Sequence, residues 1–435
     1  MLIEFSVDNY KVFSSRQTLS MLAKKSYKEH ARTTVVPELF DDLLINKAAI
    51  IYGANGSGKS SFVEAIDFLQ SYVLFGYANK NSGAFGKEKF IERDIPSFIF
   101  DDSKFKSPTS FDISFLAESG ERYQYSLSIG KQHVSTEGLW VYSKKGVRAK
   151  TIISRAYNEE EKKFDYYCPS LEIDKKTYEV AIDKAHNSPR SPFVSVLDAY
   201  DVSQLSPFIK WFARNLTVSS NQHDNMFRLA SKSTLIEEVL NGGEDRKEKI
   251  ITFLRMFDLS ITDFTVKKRD VELPEDLPEE MRRILLSDVG YQITVEHTTS
   301  DGTKKNLSYD QLSSGTKKLF DLSGFLIHYF ESEQSVMVLD EFETSLHPYL
   351  VRLIYQIIVM NPNSKLQLIL TTHSNVLLDT DKLVRRDQIW FIEKNSDLES
   401  ELYPLTDFAP KKEDSILKGW DLGNFGGVPF LETFK

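Results

Sequence analysis

The sequence predicts an α/β protein: a mixed sheet with helices built around a glycine-rich loop, extended by an antiparallel β region and an inserted helical lobe. Three observations predict it. A short apolar run from Ala48 to Tyr52 leads straight into the glycine-rich Gly53-Ala54-Asn55-Gly56-Ser57-Gly58-Lys59-Ser60, and helical periodicity follows. Helix-like and strand-like segments alternate from Thr316 to Leu370, as units of a parallel sheet do. Between these ends lies a stretch of two-residue alternation that suits antiparallel strands.

In chain order, Leu2 to Val7 alternates as a strand does. After the loop, Phe62, Ala65, Ile66, Leu69, Val73 and Leu74 recur at helical spacing, which predicts a helix over Ser61 to Phe75 with one buried face. Ser110 to Phe115, Tyr123 to Ile129 and Leu139 to Tyr142 read as strands separated by the turn formers Ser119-Gly120 and Gly130-Lys131. From Pro192 to Phe257 the pattern turns mainly helical, carried by Phe208, Trp211, Phe212, Ile250, Phe253, Leu254 and Phe257. Pro274 to Pro278 reads as a connector, Tyr291 to Glu296 as a strand and Asp301-Gly302 as a turn. A helix over Thr316 to Phe330, a strand over Val336 to Leu339, a helix over Tyr349 to Val359 and a strand over Gln367 to Leu370 follow. The predicted division is residues 1–190 for the first part of the nucleotide domain, 191–284 for an inserted, mainly helical lobe and 285–435 for the second part.

Bulk properties narrow the class. Hydrophobic residues make up 41% and charged residues 27% of the chain, neither a disordered nor a membrane composition. No apolar run approaches the roughly 18 residues of a membrane span, and Met1-Leu2-Ile3-Glu4-Phe5 is not a secretory signal. The single cysteine, Cys168, fits a reducing compartment, so a cytoplasmic location is expected. A net charge of −9 disfavours a surface coated for non-specific nucleic-acid binding. The basic groups Lys24, Lys25, Lys28 and Arg32, and Lys267, Lys268 and Arg269, read as solvated faces.

The chemistry begins at the loop. Gly53, Gly56 and Gly58 let backbone N–H groups of Asn55, Ser57 and their neighbours turn inward around phosphate oxygens, and the helix opening at Ser60 and Ser61 aims its positive end at the same anion. Lys59 is expected to reach the β- and γ-phosphates, and the Ser60 hydroxyl to ligate Mg²⁺. Val336-Met337-Val338-Leu339-Asp340-Glu341 is an apolar strand ending in two carboxylates at the edge where α/β sheets bind ligands. Asp340 is read as a Mg²⁺ holder through water. Glu341 is read as the general base that orients or deprotonates the attacking water. An acidic pair after a strand is commonly a helix cap or solvated turn, but its position relative to the loop favours the chemical reading.

Leu312-Ser313-Ser314-Gly315-Thr316-Lys317-Lys318 opens a helix with serine at the cap and a glycine that permits close backbone approach. These residues resemble the signature motif of ABC ATPases, usually Leu-Ser-Gly-Gly followed by Gln or a relative; Ser314 in third place and Thr316-Lys317 beyond it depart from that form in ways tolerated in the SMC-like branch. Glu343-Thr344-Ser345-Leu346-His347 resembles the segment lining the dimer seam of those ATPases, and Thr371-Thr372-His373 resembles their switch-histidine segment. The resemblance covers roughly residues 1–70 and 285–395 and implies a P-loop NTPase fold of the ABC ATPase type that binds ATP and Mg²⁺. It further implies that two copies sandwich the nucleotide, that Ser313, Ser314 and Gly315 contact the γ-phosphate held by the opposite copy, and that His373 reads the γ-phosphate in its own copy. No glutamine loop is found, since Gln124 and Gln132 lie in sheet-like surroundings.

Ile3 to Phe13 resembles the first strand and turn of SMC- and RecF-like ATPases rather than transporter subunits, and about 250 residues between loop and signature weigh the same way. The closing Gly423-Asn424-Phe425-Gly426-Gly427-Val428-Pro429-Phe430 is similar to a family of prokaryotic anti-phage ATPases that includes RloA, the AbiL ATPase and the PARIS ATPase AriA. That resemblance implies a homodimer or higher homo-oligomer acting as sensor or regulator of a separately encoded effector, often a nuclease. The alternative is a RecF/SMC-like DNA-binding ATPase of repair or recombination, with nucleic acid as partner.

Overall fold

Strand alternation sorts the residues of the central sheet onto two faces, and that sorting sets the architecture. The computed structural model describes residues 1–77, 95–220, 224–257, 260–271, 290–331, 335–362 and 364–427. Its central sheet runs Leu216–Ser219, Ser335–Leu339, Leu366–Thr372, Ala48–Tyr52, Ile389–Lys394, Ser400–Pro404. The first five strands are parallel and the last is antiparallel. Every residue of Ala48–Tyr52, Ser335–Leu339 and Leu366–Thr372 is buried, as parallel strands covered on both faces must be. Ala49, Ile51, Val336, Val338 and Ile369 join one core, whereas Ala48, Ile50, Tyr52, Met337, Leu339, Leu368 and Leu370 join the other.

The first core is closed by the helix Lys59–Phe75 and a seven-stranded antiparallel sheet. That sheet runs Lys163–Tyr166, Lys150–Asn158, Val134–Tyr142, Arg122–Ile129, Thr109–Leu116, Leu2–Asp8, Gln17–Ser20. Gln367 ties the two sheets together: its Oε1 accepts Leu2 N–H, and its Nε2 donates to the carbonyls of Leu2 and Asn46, each at 3.0 Å. The second core lies between the central sheet and the helices Asp224–Arg255, Ser314–Glu331 and Pro348–Val359. A three-stranded antiparallel sheet of Ile261–Lys268, Tyr291–Thr298 and Lys304–Ser308 flanks it. Each fully buried Leu, Ile or Phe in these cores contributes about 1.5–3 kcal/mol.

The expected lobe over 191–284 differs from the structure. Phe193–Asp198, Ser206–Lys210 and a π-helical turn at Trp211–Asn215 pack into the first core, where the Trp211 ring stacks 3.9 Å from that of Phe115. Leu216–Ser219 then forms the edge of the central sheet beside Ser335–Leu339. Four residues are too few to display a strand period, and the partner that fixes this strand lies far along the chain. Ile261–Lys268 in turn pairs antiparallel with Tyr291–Thr298, on the other side of the expected boundary. The boundary at 284, the connector Pro274 to Pro278 and the closing Val428, Pro429 and Phe430 lie outside the described residues. Among the described residues no helix is long and apolar enough to cross a membrane.

Candidate nucleotide site

Register brings three chain segments to one sheet edge. Tyr52 pairs with Thr372 and Leu339 with Leu370, so Gly53, Asp340 and His373 leave their strands side by side. Gly56 and Gly58 sit at φ +75° and +112°, where a side chain would be strained. Gly53 is buried with no room for a β-carbon, which would collide with Ser57 Oγ and lie 2.6 Å from the Ile392 carbonyl oxygen. Asn55 and Gly56 are exposed, Ser57 is buried, and Ser60 and Ser61 are half-buried in the first turn of Lys59–Phe75. Gly58 supplies no side-chain cap to that helix.

Lys59 is buried, and its Nζ donates to the carbonyls of Gly53 at 2.7 Å and Ala54 at 3.0 Å. It also lies 3.5 Å from His373 Nδ1. Burial pushes the Lys59 amine down to about 8, against the opposing pull of Asp340, Glu341 and Glu343. Thr371 orders the acidic pair: its hydroxyl donates to Asp340 Oδ1 at 2.6 Å and accepts the Glu341 N–H at 2.9 Å. Glu341 holds a left-handed φ of 46°, a strained conformation of the kind concentrated at functional sites. Its half-exposed carboxylate is 3.8 Å from His373 Nε2, and His373 donates its backbone N–H to Glu343 Oε1 at 2.6 Å.

The residues present fit a metal–triphosphate. Asp340 Oδ2 and Ser57 Oγ are buried without a protein partner, a state that native interiors avoid unless something else fills it. Among the described residues no group of three or more His, Cys, Asp or Glu forms a metal site of its own. Asp340 Oδ2 would offer Mg²⁺ an oxygen of the kind it takes from a protein, with phosphate and water completing the shell.

The signature segment lies at the start of Ser314–Glu331. Leu312 is buried while Ser313 and Ser314 are exposed, and Ser313 Oγ accepts the Thr316 N–H at 3.1 Å. A β-carbon on Gly315 would lie 2.7 Å from the Ser345 carbonyl oxygen, so glycine lets this helix meet the segment that follows the acidic pair. His347 is exposed and caps Pro348–Val359 by accepting the Tyr349 N–H, the plain structural role of such a residue. Gln124 stays in the antiparallel sheet opposite Trp140, and its Oε1 accepts the Tyr142 hydroxyl at 3.3 Å.

Two residues that enter the sequence reading only as members of longer segments have roles of their own. Thr371 was hidden as one more member of a buried strand, and nothing local marks its bridge between two carboxyl-end residues. Glu343 carried a signal, an acid two residues beyond the acidic pair, but its service to the His373 backbone is visible only once the strands are adjacent.

A family model described as "AAA domain, putative AbiEii toxin, Type IV TA system" matches residues 48–379. No curated protein matches the sequence. Among solved structures, an SMC head bound to the C-winged helix domain of ScpA is 15% identical, with 92% of this chain and 96% of that chain covered at a TM-score of 0.46. The SMC head domain from Thermotoga maritima is 12% identical, covering 93% and 98% at 0.39. An SMC head with an extended coiled coil, bound to the C-terminal domain of ScpA derived from Pyrococcus furiosus, is 14% identical, covering 97% and 98% at 0.40.

Proposed function

The chain belongs to that AAA-domain family, and from this premise we propose that it is an ATP-hydrolysing switch in which two copies close on Mg-ATP and reopen after turnover. The observation that carries this reading is the meeting of Lys59, Asp340, Glu341 and His373 at one edge, with Lys59 and Glu341 respectively 3.5 and 3.8 Å from the two ring nitrogens of one histidine. Bound Mg²⁺ supplies positive charge against the phosphate oxygens. The loop N–H groups of Gly53 to Ser61 and the Lys59 ammonium hold the phosphates, Ser60 and Asp340 hold the metal, and His373 donates toward the γ-phosphate. Glu341 orients a water or accepts its proton.

The exposed Ser313 and Ser314, with Gly315, would supply the trans contact from a second copy. The description of the family names a toxin of a type IV toxin–antitoxin system. A cytoplasmic role in anti-phage defence, as sensor or regulator of a separately encoded effector such as a nuclease, is instead supported by the resemblance of Gly423 to Phe430 to the anti-phage ATPases. The net charge of −9 favours a protein effector over nucleic acid.

Mixing two disabled variants tests the composite site. Lys59→Ala and Ser313→Arg should each be inactive alone, yet an equal mixture should regain turnover, because a mixed dimer contains one intact loop facing one intact signature. No recovery, in a mixture that light scattering shows to form dimers with ATP, would refute the arrangement. Salt-sensitive, ATP-dependent DNA binding would point instead to the RecF-like alternative.

A further inference from the structure

We propose that the segment Ser415 to Gly427 is a strap that holds the phosphate loop in its binding conformation, with Gly426 and Gly427 as positioning residues. This rests on the nucleotide reading above and concerns residues that the phosphate chemistry leaves unused.

The strap is built on the strands that carry the loop. Helix Ile416–Asp421 is capped by Ser415, and the chain then folds back so that the Phe425 ring packs on the helix, where a β-carbon on Gly419 would lie 2.5 Å from it. Phe425 stacks on Phe391, with centroids 6.2 Å apart, and meets Phe408 edge-on at 5.4 Å. Phe391 and Trp420 both touch Tyr52, the residue immediately before the loop, at 6.1 and 6.0 Å. Tyr403 bonds the Phe425 carbonyl at 3.1 Å and Glu393 at 3.0 Å.

Its end lies on the loop. A β-carbon on Gly427 would lie 3.1 Å from the Phe391 ring, 3.6 Å from Gly53 Cα and 3.7 Å from Gly53 N. One on Gly426 would collide with the Tyr403 hydroxyl and lie 2.7 Å from Glu393 Oε2. Gly53 is therefore enclosed by Ser57, the Ile392 carbonyl and Gly427, and its own carbonyl anchors Lys59 Nζ at 2.7 Å. A glycine is the residue with most freedom to lose. Enclosing it in advance lowers the ordering cost that phosphate binding would otherwise meet, so displacing the strap should weaken nucleotide binding.

Three glycines of the strap share a left-handed backbone, Gly423, Gly426 and Gly427 at φ +76°, +70° and +69°, but a β-carbon on Gly423 would meet nothing within 4 Å. Gly423→Ala therefore carries the same backbone strain without the collision at Gly426 or the tight contact with Phe391 at Gly427, and serves as the control. ATP affinity by titration calorimetry, with melting temperature beside it, reads the difference. Gly426→Ala and Gly427→Ala should weaken ATP binding at least tenfold, and Gly423→Ala should stay within twofold of the unaltered chain while melting lower. Equal affinity losses in all three, or none in any, would overturn the strap. Should the first two fail to fold, Phe425→Ala loosens the anchor without touching a glycine and should weaken ATP binding at least threefold; unaltered affinity there would also overturn it. If the unaltered chain binds no ATP, the nucleotide reading falls and the strap with it, a failure distinct from bound ATP that ignores the strap.

Discussion

Two charge clusters in this molecule follow opposite rules. In the seven-stranded sheet, Glu137 accepts from the Tyr125 hydroxyl at 2.9 Å, the N–H groups of Phe193 and Val194 at 2.7 and 3.1 Å, and Arg155 Nε at 2.8 Å. Arg155 also donates to the Ser191 carbonyl at 2.6 Å and lies 4.5 Å from the Phe164 ring centroid. Both ions are buried, and Arg155 Nη1 alone of their polar atoms lacks a partner. At the nucleotide edge, by contrast, Asp340 Oδ2, Ser57 Oγ and Glu343 Oε2 are each buried without a partner. A cluster whose carboxylate is fully satisfied fixes packing, whereas unsatisfied acceptors beside a half-exposed acid and histidine keep bonding capacity for something that arrives.

If that contrast is right, damage to one cluster should spare what the other does. Glu341→Gln should slow ATP turnover at least 100-fold, the usual scale for losing a general base, while ATP still binds and the dimer accumulates in light scattering. Near-normal turnover would remove Glu341 from its role. Arg155→Ala leaves Glu137 buried without its counter-ion and should cost about 3–5 kcal/mol of stability, measured by denaturant unfolding, with ATP affinity of the folded fraction unchanged. A matching loss of affinity would break the comparison.

Smaller effects sharpen it. Glu343→Ala frees the His373 N–H and should lower turnover about tenfold, the worth of one hydrogen bond to a charged acceptor, at unchanged ATP affinity. Glu343→Gln keeps an accepting oxygen and should restore most of it; equal losses in both would place the effect in charge rather than position. The smallest effect is in pH. Between about 8 and 10.5 the unfolded chain retains the Lys59 proton that the folded chain has lost, so this group makes the free protein more stable as pH rises through that window. Nucleotide affinity has the opposite slope, because phosphate favours the ammonium form. The ATP dissociation constant should rise about fivefold from pH 8 to 9, and Lys59→Met should abolish that slope.

Much of the site was legible because its parts are local patterns. A glycine-rich loop between Ala48–Tyr52 and Lys59–Phe75, carboxylates after Ser335–Leu339 and a histidine after Leu366–Thr372 each announce themselves within ten residues or so. The antiparallel strands Thr109–Leu116, Arg122–Ile129 and Val134–Tyr142 were legible for the same reason, since neighbours in sequence are neighbours in the sheet. Leu216–Ser219 was not, because its identity as a strand comes from Ser335–Leu339 and not from its own four side chains. Nor were the roles of Thr371, Glu343 and Gly427, which consist of contacts with atoms far along the chain.

By itself the sequence determined the elements whose pattern is local, such as Ala48–Tyr52, Lys59–Phe75 and Ser335–Leu339, and the residue types at their ends, because periodicity, capping and glycine placement act over a few residues. Tertiary structure decided which ends meet. Parallel pairing set Ala48–Tyr52 between Leu366–Thr372 and Ile389–Lys394, and that choice placed Lys59 beside His373 and Gly427 against Gly53. The reason is that a parallel strand satisfies its backbone with partners far along the chain, so the order of strands is selected by the burial of whole faces rather than by any local stretch.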